Sequence, residues 1–295
     1  VPPTAGAPPD VFLTDPFLEF GFLRRALVGG LALALSAPPL GLFLMLRRMS
    51  LTADVLAHGM LPGVALAYIL AGLAVPALAT GGLIAGLLVV LGAGALSRLS
   101  GGREDASLAA LYLVALAAGV SLLSWRGSAV ELTQVLFGSV LGVDDPALLL
   151  MAGTATATWL FLALAWRPLV LECFDPSFAA AVGARGGLWH LGFLAMVVLN
   201  LVAAFAALGT LMAVGVMMLP AIAARHWARQ VGGMAYASVL IAMGAVLAGL
   251  ILSYRADLPT GPAIVLTAGA FWALSLVVGP VDGLLGRLRK GHREG

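Results

Sequence analysis

Apolar residues run along the chain in long blocks separated by short polar breaks. The blocks have membrane-spanning length, about 20 residues each, which a helix needs to cross a bilayer. They fall at roughly 21–46, 54–75, 78–98, 107–125, 146–167, 188–209, 210–226, 232–253 and 259–282. The sixth and seventh run together, and Gly209 is the expected break between them. Stretch 131–143 (ELTQVLFGSVLGV) is too short to span and reads as a re-entrant or surface helix packed against protein. The pattern predicts an all-α polytopic membrane protein of about nine transmembrane helices.

Composition agrees with the pattern and removes several function classes. Apolar residues make up 61% of the 295 positions and charged residues 10%, where soluble domains run nearer half and a quarter. A net charge of +2 without a basic stripe excludes a nucleic-acid surface. Lys290 is the single lysine and is followed by Gly and His. A phosphate-cradling loop requires G-x-x-x-x-G-K-[ST], so this chain carries no such ATP site. One cysteine, Cys173, allows neither an intrachain disulfide nor a cysteine zinc cluster. Residues 1–20 are rich in proline and acids, lack the basic and apolar regions of a signal peptide, and read as an extended extracytoplasmic tail. The expected organisation is that tail, a transmembrane domain over 21–285 and a cytoplasmic tail over 286–295.

Arginine and lysine set the expected orientation. With the N-terminus outside, nine spans place twelve of the sixteen basic residues in cytoplasmic loops and leave Arg24, Arg25, Arg126 and Arg255 outside. Small residues, including 37 glycines, allow close helix approach in lipid. Prolines at Pro38–Pro39, Pro62 and Pro220 interrupt spans and free carbonyls that protein or water must satisfy.

The segment RRMSLTADVLAHGMLPGVAL, 47–66, carries the candidate chemistry. Asp54 and His58 stand at i and i+4, hence on one helical face. His58 lies roughly 10 Å from the helix start, inside the membrane, where ionisable groups mark a pathway or a partner. A carboxylate and a neutral imidazole at that spacing can ligate one divalent transition metal. Equally, Asp54 can pair with Arg47 or Arg48 while His58 bonds a carbonyl across a helix contact. Spacing alone leaves both readings open.

This stretch resembles the signature of the permease subunits of bacterial ATP-driven importers for zinc, manganese and iron. The matching positions are Arg47, Arg48, Met49, Ser50, Asp54, His58, Leu61, Pro62 and Gly63. Segments 103–112, 136–143, 175–183, 214–225 and 252–266 resemble the same family in the same order. Ala53 and Gly59 depart from its usual Gly and Ala, and neither change removes a ligand. The resemblance implies a permease of the vitamin-B12-importer type, with Asp54 and His58 as metal ligands and a divalent ion, zinc or manganese or else iron, as cargo. It implies a homodimer whose two Asp54–His58 pairs meet at the axis. Two copies of a separate cytoplasmic ATPase and an extracytoplasmic solute-binding protein complete the assembly, with no cofactor of the permease's own. The rival readings are a permease for iron chelates or cobalamin and a secondary, proton-coupled metal transporter. Asp54 and His58 argue against the first, and no inverted repeat supports the second.

Segment 168–188 reads as a cytoplasmic loop holding a short helix. Asp175 suits the N-cap, Pro176 the first helical position and Gly183 the stop. Phe174 and Phe178 would give it an apolar face, to lie on headgroups or, as the resemblance implies, to dock on the ATPase. Other polar positions read more plainly. Asp144 and Asp145 favour a helix start, and Asp257 caps a helix or pairs with Arg255. Asn200 glues helices, and Met212, Met217 and Met218 fill space. His190, His226 and His292 read as solvated and Cys173 as an inert thiol.

Overall fold

A computed structural model describes residues 21–72, 74–100, 104–125, 143–174, 178, 186–281 and 283–284. Regular structure among them is helical throughout. In chain order the helices are α1 (Gly21–Leu46), α2 (Thr52–Gly59), α3 (Leu61–Ala71), α4 (Val75–Ser100) and α5 (Glu104–Trp125), then α6 (Asp145–Phe174), α7 (Gly186–Leu208), α8 (Thr210–Ala224), α9 (Val231–Ala256) and α10 (Thr260–Val278). Counting α2 and α3 as one crossing, eight are long and apolar enough to span a bilayer. The ninth expected span is α8, whose 15 residues reach only about 22 Å at 1.5 Å per residue. Gly209 breaks the chain before it, with φ of 86°, a left-handed geometry that suits glycine.

One boundary needs correction. The fifth span was expected to end at Arg167, opening the loop 168–188, yet α6 continues through Pro168 to Phe174. Proline inside a membrane helix is tolerated where neighbours re-satisfy the freed carbonyls, and Leu169 beside it is fully buried. Only 175–185 separates α6 from α7, and of that segment residue 178 alone is described. The expected short helix at 131–143 and the tails 1–20 and 286–295 lie outside the described residues.

At the centre of the bundle is α1, packed on α6, α8 and α9. Of its apolar window 72% is buried, against 22% for the peripheral α5. Glycine permits this density. A methyl on Gly41 would sit 2.0 Å from the Met217 carbonyl oxygen of α8, so the two backbones touch. Gly63 of α3 and Gly81 of α4 meet likewise, each blocking a Cβ on the other.

Where polar groups enter this core they are matched. Ser36 Oγ of α1 donates to Asn200 Oδ1 of α7 at 2.7 Å, and Asn200 Nδ2 donates to Thr158 Oγ1 of α6 at 2.7 Å. All three side chains are fully buried, so Asn200 joins three helices as its position suggested.

Candidate functional site

The site begins at the turn after α1. Arg48 adopts a left-handed backbone, φ 61°, and reverses the chain. Main-chain bonds from Met49 N to Leu44 O at 2.8 Å and from Thr52 N to Met49 O at 3.0 Å staple the turn. Then α2 starts, with Asp54 in its first turn, where the helix dipole favours an acid. Pro62 has no N–H to continue the ladder, so the crossing is divided into α2 and α3 on either side of Met60.

Burial divides α2 into two faces. Ala53, Leu56, Ala57 and Met60 are buried against the bundle, whereas the Asp54 and His58 side chains remain 56% and 31% exposed on the other face. Their spacing does bring them together. His58 Nδ1 stands 2.9 Å from the Asp54 main-chain oxygen and 3.5 Å from its Oδ1. A carbonyl only accepts, so Nδ1 carries a proton, and in the neutral ring Nε2 keeps the lone pair. Tyr112 on α5 meets the ring in a T-shaped contact, 6.3 Å between centroids. The orientation matches a carboxylate–histidine arrangement that readies the far ring nitrogen for a cation.

Arg47 pairs with Glu172 of α6 rather than with Asp54, and His58 bonds the carbonyl of its own preceding turn. Among the described residues no group of three or more His, Cys, Asp and Glu side chains could enclose a metal. One chain therefore offers two candidate ligands here.

Of the expected coupling residues, Phe174 ends α6 and is 69% exposed, and Phe178 is 54% exposed. Asp175 and Gly183 lie outside the described residues. Asp144 accepts from Ala147 N at 2.9 Å and so caps α6, while Asp145 pairs with Arg25 at 3.1 Å. Asp257 terminates α9 in a left-handed conformation, its N–H bonded to Ser253 O. Met212, Met217 and Met218 are buried in the core, as filler should be. His190 departs from expectation: it is half-buried, 3.1 Å from Arg47. Reading by sequence also missed Glu172, whose partner lies 125 positions away.

The family profile described as the ABC 3 transport family matches residues 19–279. The chain belongs to this family. Its relatives include the manganese transport system membrane protein of Halalkalibacterium halodurans, 30% identical over 96% of each chain. The probable iron transport system membrane protein of Haemophilus influenzae is 31% identical over 90% of this chain and 96% of its own length. Among solved structures, the PsaBC complex of Streptococcus pneumoniae, determined with a Fab, superposes with a TM-score of 0.82 at 29% identity, covering 92% of this chain and 96% of that one. An inward-facing metal-chelate type ABC transporter shares the fold at TM-score 0.68 and 16% identity. As a member of the ABC 3 transport family, the chain is a multi-pass inner-membrane protein and the permease component of an ABC importer. Membership displaces the secondary-transporter reading.

Proposed function

We propose that this permease moves a divalent transition-metal ion across the cytoplasmic membrane, with Asp54 and His58 as the ligands each chain contributes. The observation that carries the reading is their exposure: an acid and an imidazole stand side by side on the open face of a crossing that is otherwise apolar. Lipid is a costly environment for either group, so the face must meet water, an ion or another chain. Two ligands fall short of a four-coordinate site, which favours a homodimer that supplies the pair twice. The relatives are manganese and iron transport system membrane proteins, which puts those metals ahead of zinc. Energy comes from a separate ATPase, two copies per dimer, docked near Phe174 and Phe178 at the α6–α7 end. Asp175 and Gly183 bound the short helix expected there, and a solute-binding protein delivers the ion on the other side.

A conducting site has to bind strongly enough to admit the ion and weakly enough to release it. In the neutral ring His58 Nε2 keeps a lone pair for the ion, and Asp54 is the carboxylate that the same helical face supplies. The test is uptake of manganese, iron and zinc by the permease–ATPase complex in vesicles. Asp54→Asn and His58→Ala should each abolish uptake while assembly persists. Asp257→Asn is the control, since Asn tolerates the left-handed cap as well as Asp does. Normal uptake by His58→Ala would reject the ligand reading.

A further inference from the structure

Arg47 ends α1 beside the cytoplasmic face expected from the charge distribution, where an arginine ordinarily reaches into water. Its side chain is instead 8% exposed. Four groups on two other helices surround it, one of them the Cys173 thiol of α6, which lies beside the guanidinium. Glu172 Oε2, in the last turn of α6, accepts from Nη2. His190 Nδ1, in the first turns of α7, lies 3.1 Å from Nη1. The Phe193 ring lies beneath the guanidinium carbon at 4.9 Å. Arginine only donates, so His190 accepts through Nδ1 and is neutral, with its proton on Nε2. Arg47 Nε is buried without a hydrogen-bond partner.

Stability alone is a poor reason for this arrangement. Desolvating a charge pair offsets much of its attraction, and apolar replacements commonly hold a core as well. The unbonded Nε adds a further cost. What the cluster does supply is direction, because the planar guanidinium fork fixes Glu172 and His190 at defined angles. The same residue leads directly into the stapled turn at Arg48–Leu51 and so into α2. Arg47 thus touches both helix ends that flank 175–185 and stands seven positions before Asp54.

We propose that Arg47 is a positioning residue for transport, carrying displacement of the α6 and α7 ends to the start of α2 and thereby to the Asp54–His58 pair. The inference rests on the importer reading, in which the ATPase docks at the α6–α7 end. Glu172 and His190 are its two handles. Arg47→Lys keeps a charge for Glu172 but cannot hold both partners in one plane.

The experiment uses the full permease–ATPase complex in vesicles, with manganese uptake and ATP hydrolysis measured together. Arg47→Gln and Glu172→Gln should still hydrolyse ATP, and the manganese moved per ATP should fall at least tenfold. Arg47→Lys should fall between these and the unsubstituted complex. An unchanged ratio in either Gln variant overturns the proposal, because a merely structural pair lowers uptake and hydrolysis in step. If the Gln variants fail to assemble, Arg47→Lys decides alone, and an unchanged ratio there is equally fatal. A second readout separates this proposal from the importer reading. Leu51→Cys, with Cys173 kept because it lies beside Arg47 and its own labelling subtracted using the complex without Leu51→Cys, should change its reactivity toward a thiol reagent when ATP is added, and Glu172→Gln should remove that change. An ATP-dependent change that survives Glu172→Gln overturns the positioning role. An unsubstituted complex that hydrolyses ATP and moves no metal overturns the importer reading alone, and the reactivity change then decides the role of Arg47.

Discussion

The imidazole of His58 turns its Nδ1 to the main-chain oxygen of Asp54, 2.9 Å away, and its side chain stays 31% exposed. Tyr112 meets the ring in a T-shaped contact, 6.3 Å between centroids. Such aromatic contacts contribute about 0.5–1.5 kcal/mol, which is roughly a two- to tenfold change in an equilibrium. Tyr112→Ala should therefore raise the manganese concentration for half-maximal uptake by about that factor, with membrane insertion unchanged. Tyr112→Phe keeps the ring and should behave as the unsubstituted protein does. Uptake kinetics in vesicles check both, and an unaltered Tyr112→Ala removes the ring from the mechanism.

Two glycines separate packing from propensity. Gly41→Ala places a methyl 2.0 Å from a main-chain oxygen that no rotamer can move. It should cost several kcal/mol, in the range of severe overpacking, and show as lost monodisperse protein in detergent. Gly153→Ala enters open space in mid-α6 and should raise thermal stability by up to about 1 kcal/mol. Equal melting temperatures for the two variants would contradict the close α1–α8 contact.

Asn200 serves stability and not transport. In Asn200→Ala, Ser36 can turn to the Ala32 carbonyl and Thr158 keeps its bond to Thr154 O. The expected loss is roughly 1–3 kcal/mol, combining lost polar contacts and a small cavity. Uptake per folded molecule should be unchanged. A variant that folds normally and fails to transport would move Asn200 onto the ion's path.

Sidedness follows from the arginines. A cysteine at Thr4 in a Cys173→Ser background should react with a membrane-impermeant reagent added to spheroplasts, and one at Gly291 should be protected. The reverse labelling would invert the bundle.

Much of the fold was legible because lipid permits few solutions. Spans reveal themselves by length, and the break at Gly209 needed only a residue tolerant of positive φ. The Asp54–His58 face followed from helical periodicity alone. Errors arose where local signals met distant partners. Arg167–Pro168 reads as a terminus, yet packing carries α6 another seven residues. His190 reads as solvated and Arg47 as a candidate partner of Asp54, yet Arg47 pairs with Glu172 of α6, whose distance in sequence hides the pairing. Tyr112 lay in segment 103–112, which resembles the family, but only the packing of α5 on α2 brings it to His58.

The central position of α1 has a bearing on how the chain is made. It leaves the ribosome before every other described helix, yet its neighbours α6, α8 and α9 follow only after α2 to α5. At about 5–20 residues per second, α9 follows α1 by roughly 10–40 s. Gly29, Ser36, Gly41 and Gly30 of α1 wait in turn for Met151 of α6, Asn200 of α7, Met217 of α8 and Val246 of α9. The insertion machinery, or early pairing with α2 and α3, must shelter the nascent helix until its own neighbours arrive. Truncations ending before Val231 should consequently leave α1 open to proteolysis or degradation, however sound the preceding crossings are.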